Sequence, residues 1–152
     1  MSHTYINLLV HVIFTTKNRE PCLLSEIRPR LFAYMGGIMT HLKGVALEIN
    51  GTDDHVHLLL SLPATLAVAE TVRAIKANSS HWLRQTGPQF DAFSWQTGYG
   101  AFSVSESMRE AVVRYIANQE QHHRLVSLEE EMQTIIRRHP SAYGKLSPHP
   151  NG

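Results

Sequence analysis

The stretch that most constrains this chain is Asn50-Gly51-Thr52-Asp53-Asp54-His55-Val56-His57-Leu58-Leu59-Leu60-Ser61-Leu62-Pro63. Asn50 to Asp53 carries turn chemistry, and Val45 to Asn50 before it alternates apolar and polar residues. The run His55 to Leu62, closed by Pro63, then reads as a buried strand that returns beside Val45–Asn50 as a hairpin. Successive strand side chains point to opposite faces. His55, His57 and Leu59 therefore share one face, and Val56, Leu58 and Leu60 the other. An imidazole gains little from an apolar setting unless its nitrogens find partners. Two of them at alternate positions either are each hydrogen-bonded or share one ligand. Their roots lie about 6.6 Å apart, two strand rises, a spacing at which both rings can reach one metal ion.

The elements around this hairpin fall in a definite order. Tyr5 to Thr16 is apolar and β-branched, a strand, and Lys17 to Pro21 is a polar break. Ser25 to Leu42 has helical spacing at Ile27, Leu31, Tyr34, Met35, Ile38 and Leu42, with Ser25 as the candidate N-cap. Leu66 to Gln85 is a long helix with Val68, Val72, Ile75, Trp82 and Leu83 facing inward. Trp95 to Val104 is a glycine-interrupted strand region, and Ser105 caps a helix running to about His123. Ser127 caps a last helix to about Arg138, followed by a Pro/Gly-rich tail. Strand, helix, strand, strand, helix, strand is the split β-α-β order. The expectation is an α+β, ferredoxin-like (RRM-like) domain: a four-stranded antiparallel sheet with helices on one face, plus C-terminal helices. Residues 1–126 form the main domain, and 127–152 a C-terminal helix and loose tail.

Bulk properties set outer bounds. A chain of 152 residues suffices for one domain with a real core. Its one cysteine, Cys22, excludes an internal disulfide and suits a reducing cytoplasm. There is no apolar run of about 18 residues, the length a membrane helix needs, so no membrane partner is expected. The N-terminus lacks the pattern of a signal peptide. A net charge of +1 is too small to favour any class of partner, so nucleic-acid binding would need locally concentrated basic residues.

Further candidates stand outside the histidine pair. Tyr115 and Gln119, four apart, share one helix face. Gln119 offers a carbonyl oxygen suited to a hard cation. Tyr115 is either an ordinary amphipathic position or a phenol beside that cation. Lys17, Arg19, Arg73 and Lys76 form either a phosphate-binding surface or solvated charge. Trp95 and Tyr99 either stack bases or pack the core. Asp53 and Asp54 are turn residues or partners of an imidazole. His122 and His123 follow Gln119 by a turn and either touch DNA or the ion or stand in solvent, and solvent exposure is the expectation.

These pieces together resemble a known family. HVIFTTKNR (11–19), NGTDDHVHLLLSLP (50–63), IKANSSHWL (75–83), WQTGYGAFSVS (95–105) and VVRYIANQE (112–120) stand in the order found in single-tyrosine HUH transposases of the insertion-sequence 200/605 type. The likeness spans residues 5–123. It implies that His55, His57 and Gln119 hold a divalent metal, Mg²⁺ or Mn²⁺, and that Tyr115 is the nucleophile. It implies cleavage and rejoining of single-stranded DNA at hairpin-bearing element ends through a 5′-phosphotyrosine intermediate. It further implies a homodimer in which one subunit's tyrosine helix completes the partner's histidine site, working in a bacterial or archaeal cytoplasm at the nucleoid. Two other readings stay open: a domesticated nuclease of the REP-associated type, and a non-catalytic single-stranded DNA-binding regulator with the same fold.

Overall fold

The computed structural model describes residues 3–123 and 126–138. The chain divides into two compact units, residues 1–119 and 120–152. The first holds strands β1 (Leu9–Thr15), β2 (Val45–Gly51), β3 (His55–Ser61) and β4 (Gly100–Val104), with helices α1 (Arg28–His41), α2 (Val68–Thr86) and α3 (Arg109–Ala117). Single 3₁₀ turns occur at Lys17–Arg19, Pro88–Phe90 and Glu106–Met108. The sheet order is β2-β3-β1-β4 with every pairing antiparallel, the ferredoxin-like arrangement the sequence predicts.

β3 lies between two neighbours and six of its seven residues are buried. Its alternation sorts two different surfaces. Val56, Leu58 and Leu60, with Val12 and Phe14 of β1, pack against Leu31, Met35 and Met39 of α1 and Val72, Ile75 and Leu83 of α2. Each such fully buried aliphatic side chain stabilises the fold by about 1.5–3 kcal/mol. On the other face Leu59 and Leu9 pack with Ile116 of α3. α1 and α2 thus share one face as expected, and α3, the first of the C-terminal helices, covers the other. α3 docks there because Leu9 and Leu59 are apolar on the side that the histidines occupy.

Element ends differ from the sequence reading for local reasons. α1 starts at Arg28 with Ile27 at the N-cap, not at Ser25, and Pro29 sits in the first turn where its missing N–H costs nothing. β1 begins at Leu9, and Tyr5 is 90% exposed. β4 is shorter than Trp95–Val104: Trp95 makes only an isolated bridge with Thr16, and Gly98 turns the chain at φ +91°. The helix after Ser105 does not run unbroken to His123. It ends at Ala117, Asn118 leaves helical geometry at ψ 19°, and a short turn, α4 (Gln119–His122), follows.

In the second unit α5 (Leu128–Arg138) is capped as expected, the Glu130 N–H donating to Ser127 Oγ at 3.2 Å. Acidic residues open it and Arg137 and Arg138 close it, which suits the helix dipole. The tail from residue 139 lies outside the described residues.

The hairpin joining β2 to β3 is close-fitting. A side chain at Gly51 would drive its Cβ into the His55 carbonyl oxygen. Gly51→Ala is expected to cost about 1–3 kcal/mol, the usual penalty of overpacking. It would be read as a lower urea midpoint at unchanged slope.

Candidate active site

His55 and His57 stand on the β3 face that α3 covers, and both are essentially inaccessible, 1% and 0% exposed. Burial at that level demands partners for the ring nitrogens, and the structure supplies them at Nδ1 of each ring. His55 Nδ1 donates to Asp54 Oδ1 at 2.7 Å and lies 2.9 Å from Thr52 Oγ1, whose hydroxyl donates to the same carboxylate oxygen at 3.2 Å. Arg19 closes the chain with an ion pair to Asp54 Oδ2 at 3.3 Å. The hydrogen bond from His55 is the main cause that holds the Asp54 carboxyl down at about 2, aided by the charges of His55 and Arg19 against a burial that raises it. Asp54, not Asp53, is thus the imidazole's partner. With Nδ1 engaged by the carboxylate, Nε2 is the nitrogen through which His55 would take a ligand.

His57 is served by a residue that sequence reasoning passed over. His11 of β1, 5% exposed, places its Nε2 2.9 Å from His57 Nδ1. The two rings stack at 5.1 Å between centroids. In the β1–β3 register His11 faces Leu59 while Ile13 faces His57, so the histidines meet on the diagonal. The signal was available: His11 falls in phase with Leu9 and Ile13, on the same face as His57, inside a run otherwise apolar.

Tyr115 comes to the same place. Its ring lies edge-on to both imidazoles, 5.9 Å from His57 and 6.1 Å from His11 between centroids. The positioning comes from β2. Asn50 pairs with His57 in register, and its side-chain NH₂ donates to the carbonyls of Ile116 and Ala117 at 3.0 and 2.9 Å. Those carbonyls are among the last in α3, which have no partner within the helix. One asparagine thus fixes the end of the tyrosine helix at the level of His57. Gln119 follows at once, fully buried. Its NH₂ donates to the Tyr115 carbonyl at 3.3 Å, and its Oε1 has no hydrogen-bond partner among the described residues. A buried amide oxygen in that state calls for a donor or a cation. By their chemistry, imidazole nitrogens and an amide oxygen are donors that a divalent ion accepts.

The four basic candidates do not gather on this face. Arg73 and Lys76 belong to α2, on the opposite side of the sheet. With Val72, Ser80, Trp95, Gly98 and Tyr99 they line an open cleft of about 440 Å³. Arg73 is exposed, whereas the Lys76 ammonium donates to the Gln96 and Gly98 carbonyls at 2.6 and 2.8 Å, and burial lowers its pKa. Lys17 and Arg19 are exposed on the 3₁₀ turn at the end of the sheet. Asn18 and Arg19 there hold φ of 57° and 54°, an uncommon pair for non-glycine residues. The Asn18 N–H donates to Gln96 Oε1 at 3.0 Å, which ties the turn to the wall of the cleft. Trp95 is core, edge-on to Phe14 and Phe93 with its indole N–H donating to Ser79, whereas Tyr99 is exposed. Cys22 is half-buried, and burial pushes its thiol pKa up. His122 and His123 are not the exposed residues expected: both Nε2 atoms lie 3.1 Å from Glu131 Oε2 within the second unit.

Comparison with known proteins gives the class of protein that carries this sheet and this histidine face. The chain belongs to the family described as transposase IS200 like, whose model matches residues 4–119. It is accordingly an enzyme that cleaves DNA and transfers strands. It is 29% identical over 116 residues to the ISDra2 transposase TnpA of Deinococcus radiodurans, covering 72% of this chain and 81% of that protein. A crystal structure of a transposase-like protein from Deinococcus radiodurans R1 is 28% identical, with a TM-score of 0.59 over 78% of this chain and 96% of that one. A REP-associated tyrosine transposase solved bound to a REP hairpin shares the fold, with a TM-score of 0.60 at 16% identity over 83% of this chain and 74% of that one. Among the described residues no helix is long and apolar enough to cross a membrane.

Asn50→Ala is expected to loosen α3 alone. Two neutral hydrogen bonds, each about 0.5–1.5 kcal/mol, are lost. Amides of α3 should then exchange roughly tenfold faster or more, while those of β1 and β3 keep their protection.

Proposed function

We propose that this transposase acts on single-stranded DNA through Tyr115, with His55, His57 and Gln119 holding a divalent cation, Mg²⁺ or Mn²⁺. The observation that carries this reading is the Tyr115 ring seated edge-on at 5.9 Å from His57; the buried Gln119 oxygen, which accepts no hydrogen bond from the described residues, adds to it. A bound cation supplies charge neutralisation at the scissile phosphate. This chain's own residues do the rest. His55, braced by Asp54, and His57, braced by His11, keep their rings in place without rearrangement. The Tyr115 oxygen attacks phosphorus, and the bond from phosphorus to the 3′ oxygen breaks. The phenol loses its proton to solvent, and the departing 3′ oxygen takes one up. The products are a 5′-phosphotyrosine and a free 3′-hydroxyl. Phosphodiester and phosphotyrosyl ester are similar in energy, so rejoining needs no nucleotide cofactor.

The DNA path follows from the placement of charge. The cleft of Arg73, Lys76 and the exposed Tyr99 suits a phosphate backbone with an unpaired base. The Lys17–Arg19 turn stands between that cleft and the histidine face. The REP hairpin held by a protein of the same fold supports hairpin DNA as the substrate class here. Homodimer formation is part of the proposal. One chain already brings Tyr115 to His57, so the shared arrangement implied by the resemblance requires α3 to leave its own sheet.

The decisive experiment is covalent trapping on single-stranded oligonucleotides tiled across the gene's flanks, with Mn²⁺ or Mg²⁺, on a denaturing gel. A protein–DNA adduct is expected that is absent from Tyr115→Phe and absent with chelator. Binding without any adduct would replace this reading with that of a non-catalytic DNA-binding protein. Arg73→Ala should weaken single-strand binding uniformly across sequences. Its slope of log affinity against log salt should shrink by about 0.7, one phosphate contact.

A further inference from the structure

We propose that His11 is a positioning residue that sets the tautomer of His57. This rests on the reading of His55, His57 and Gln119 as cation ligands. The contact between His11 Nε2 and His57 Nδ1, 2.9 Å long and buried, has room for one shared proton when both rings are neutral. If His57 is to offer a lone pair at Nε2, that proton must sit on its Nδ1, and His11 Nε2 must accept it. Asp54 performs the same service for His55 by accepting from its Nδ1. The two imidazoles are thus braced by different chemistry: a carboxylate at the strand end, and a neutral ring in mid-sheet. An anion at the His11 position would sit 5% exposed between Leu9 and Ile13, where desolvation penalises charge. A neutral acceptor avoids that cost and still fixes the ring. The brace is rigid because both partners are strand residues whose diagonal relation is set by the β1–β3 register.

The same histidine stacks on His57 and touches the edge of Tyr115, so a packing role is the competing explanation. The variants separate the two. His11→Phe keeps the ring volume and removes the acceptor. His11→Gln keeps an acceptor at the position of Nε2 and removes the ring.

The test reads ¹⁵N imidazole shifts of the full chain without metal, followed by Mn²⁺ titration without DNA. Wild-type His57 is expected to be protonated at Nδ1. That preference should be lost in His11→Phe and kept in His11→Gln. Mn²⁺ affinity should fall about 10- to 100-fold in His11→Phe, the usual effect of losing a group that orients a ligand, and recover in His11→Gln. A His57 protonated at Nε2 in the wild-type protein overturns the proposal, and this measurement needs no variant to fold. So does a tautomer and Mn²⁺ affinity unchanged in His11→Phe. If the wild-type chain binds no Mn²⁺, the cation reading fails, while the tautomer result still decides what His11 does.

Discussion

Everything in the first unit depends on a strand that must satisfy two unlike faces at once. β3 is buried on both sides, but only one side is dry. Val56, Leu58 and Leu60 need nothing beyond apolar neighbours. His55 and His57, one residue out of phase, need hydrogen-bond partners at every nitrogen they bury. A one-residue slip of register would bury polar rings in the main core and turn its leucines to the histidine face. The hairpin at Gly51, too close for any side chain, and the central place of β3 make that slip inaccessible.

The reacting face is assembled from short, local solutions to that demand. Asp54 and Thr52 sit next to His55 in the chain, so its brace comes from the turn itself. His11 reaches His57 only because β1 and β3 are neighbours. Asn50 reaches α3 only because β2 flanks β3 on the other side. The turn, β1 and β2 thus each contribute a brace, and the tyrosine helix is held against the face these braces fix. The 17–19 turn joins in from outside, where Arg19 meets Asp54 in a backbone conformation that side chains resist.

Much of this was legible in the sequence, because periodicity is a local property. The alternation of His55 to Leu60 gives the two faces of β3, and turn residues give the hairpin. The order of elements gives the sheet. Tyr115 and Gln119, one turn apart, declare a shared helix face. Contacts that depend on which strands pair were not legible. His11 looks like a stray polar residue until β1 is laid beside β3. Asn50 reads as a turn residue until α3 is placed over the sheet, and nothing in the pattern of α3 says which face it covers. Lys76 reads as free surface charge, yet two backbone carbonyls claim it, a contact made possible only by the turn at Gly98.

The two faces also divide the burden of sequence change. The large cluster between the sheet and the first two helices secures the fold, while the tyrosine helix rests on Leu9, Leu59 and Ile116 and a few partly buried neighbours. Substitutions along the docking side of that helix therefore alter how firmly Tyr115 is held without endangering the scaffold. Such a chain can drift between vigorous and silent forms by small steps, and a lineage can lose its chemistry long before it loses its shape.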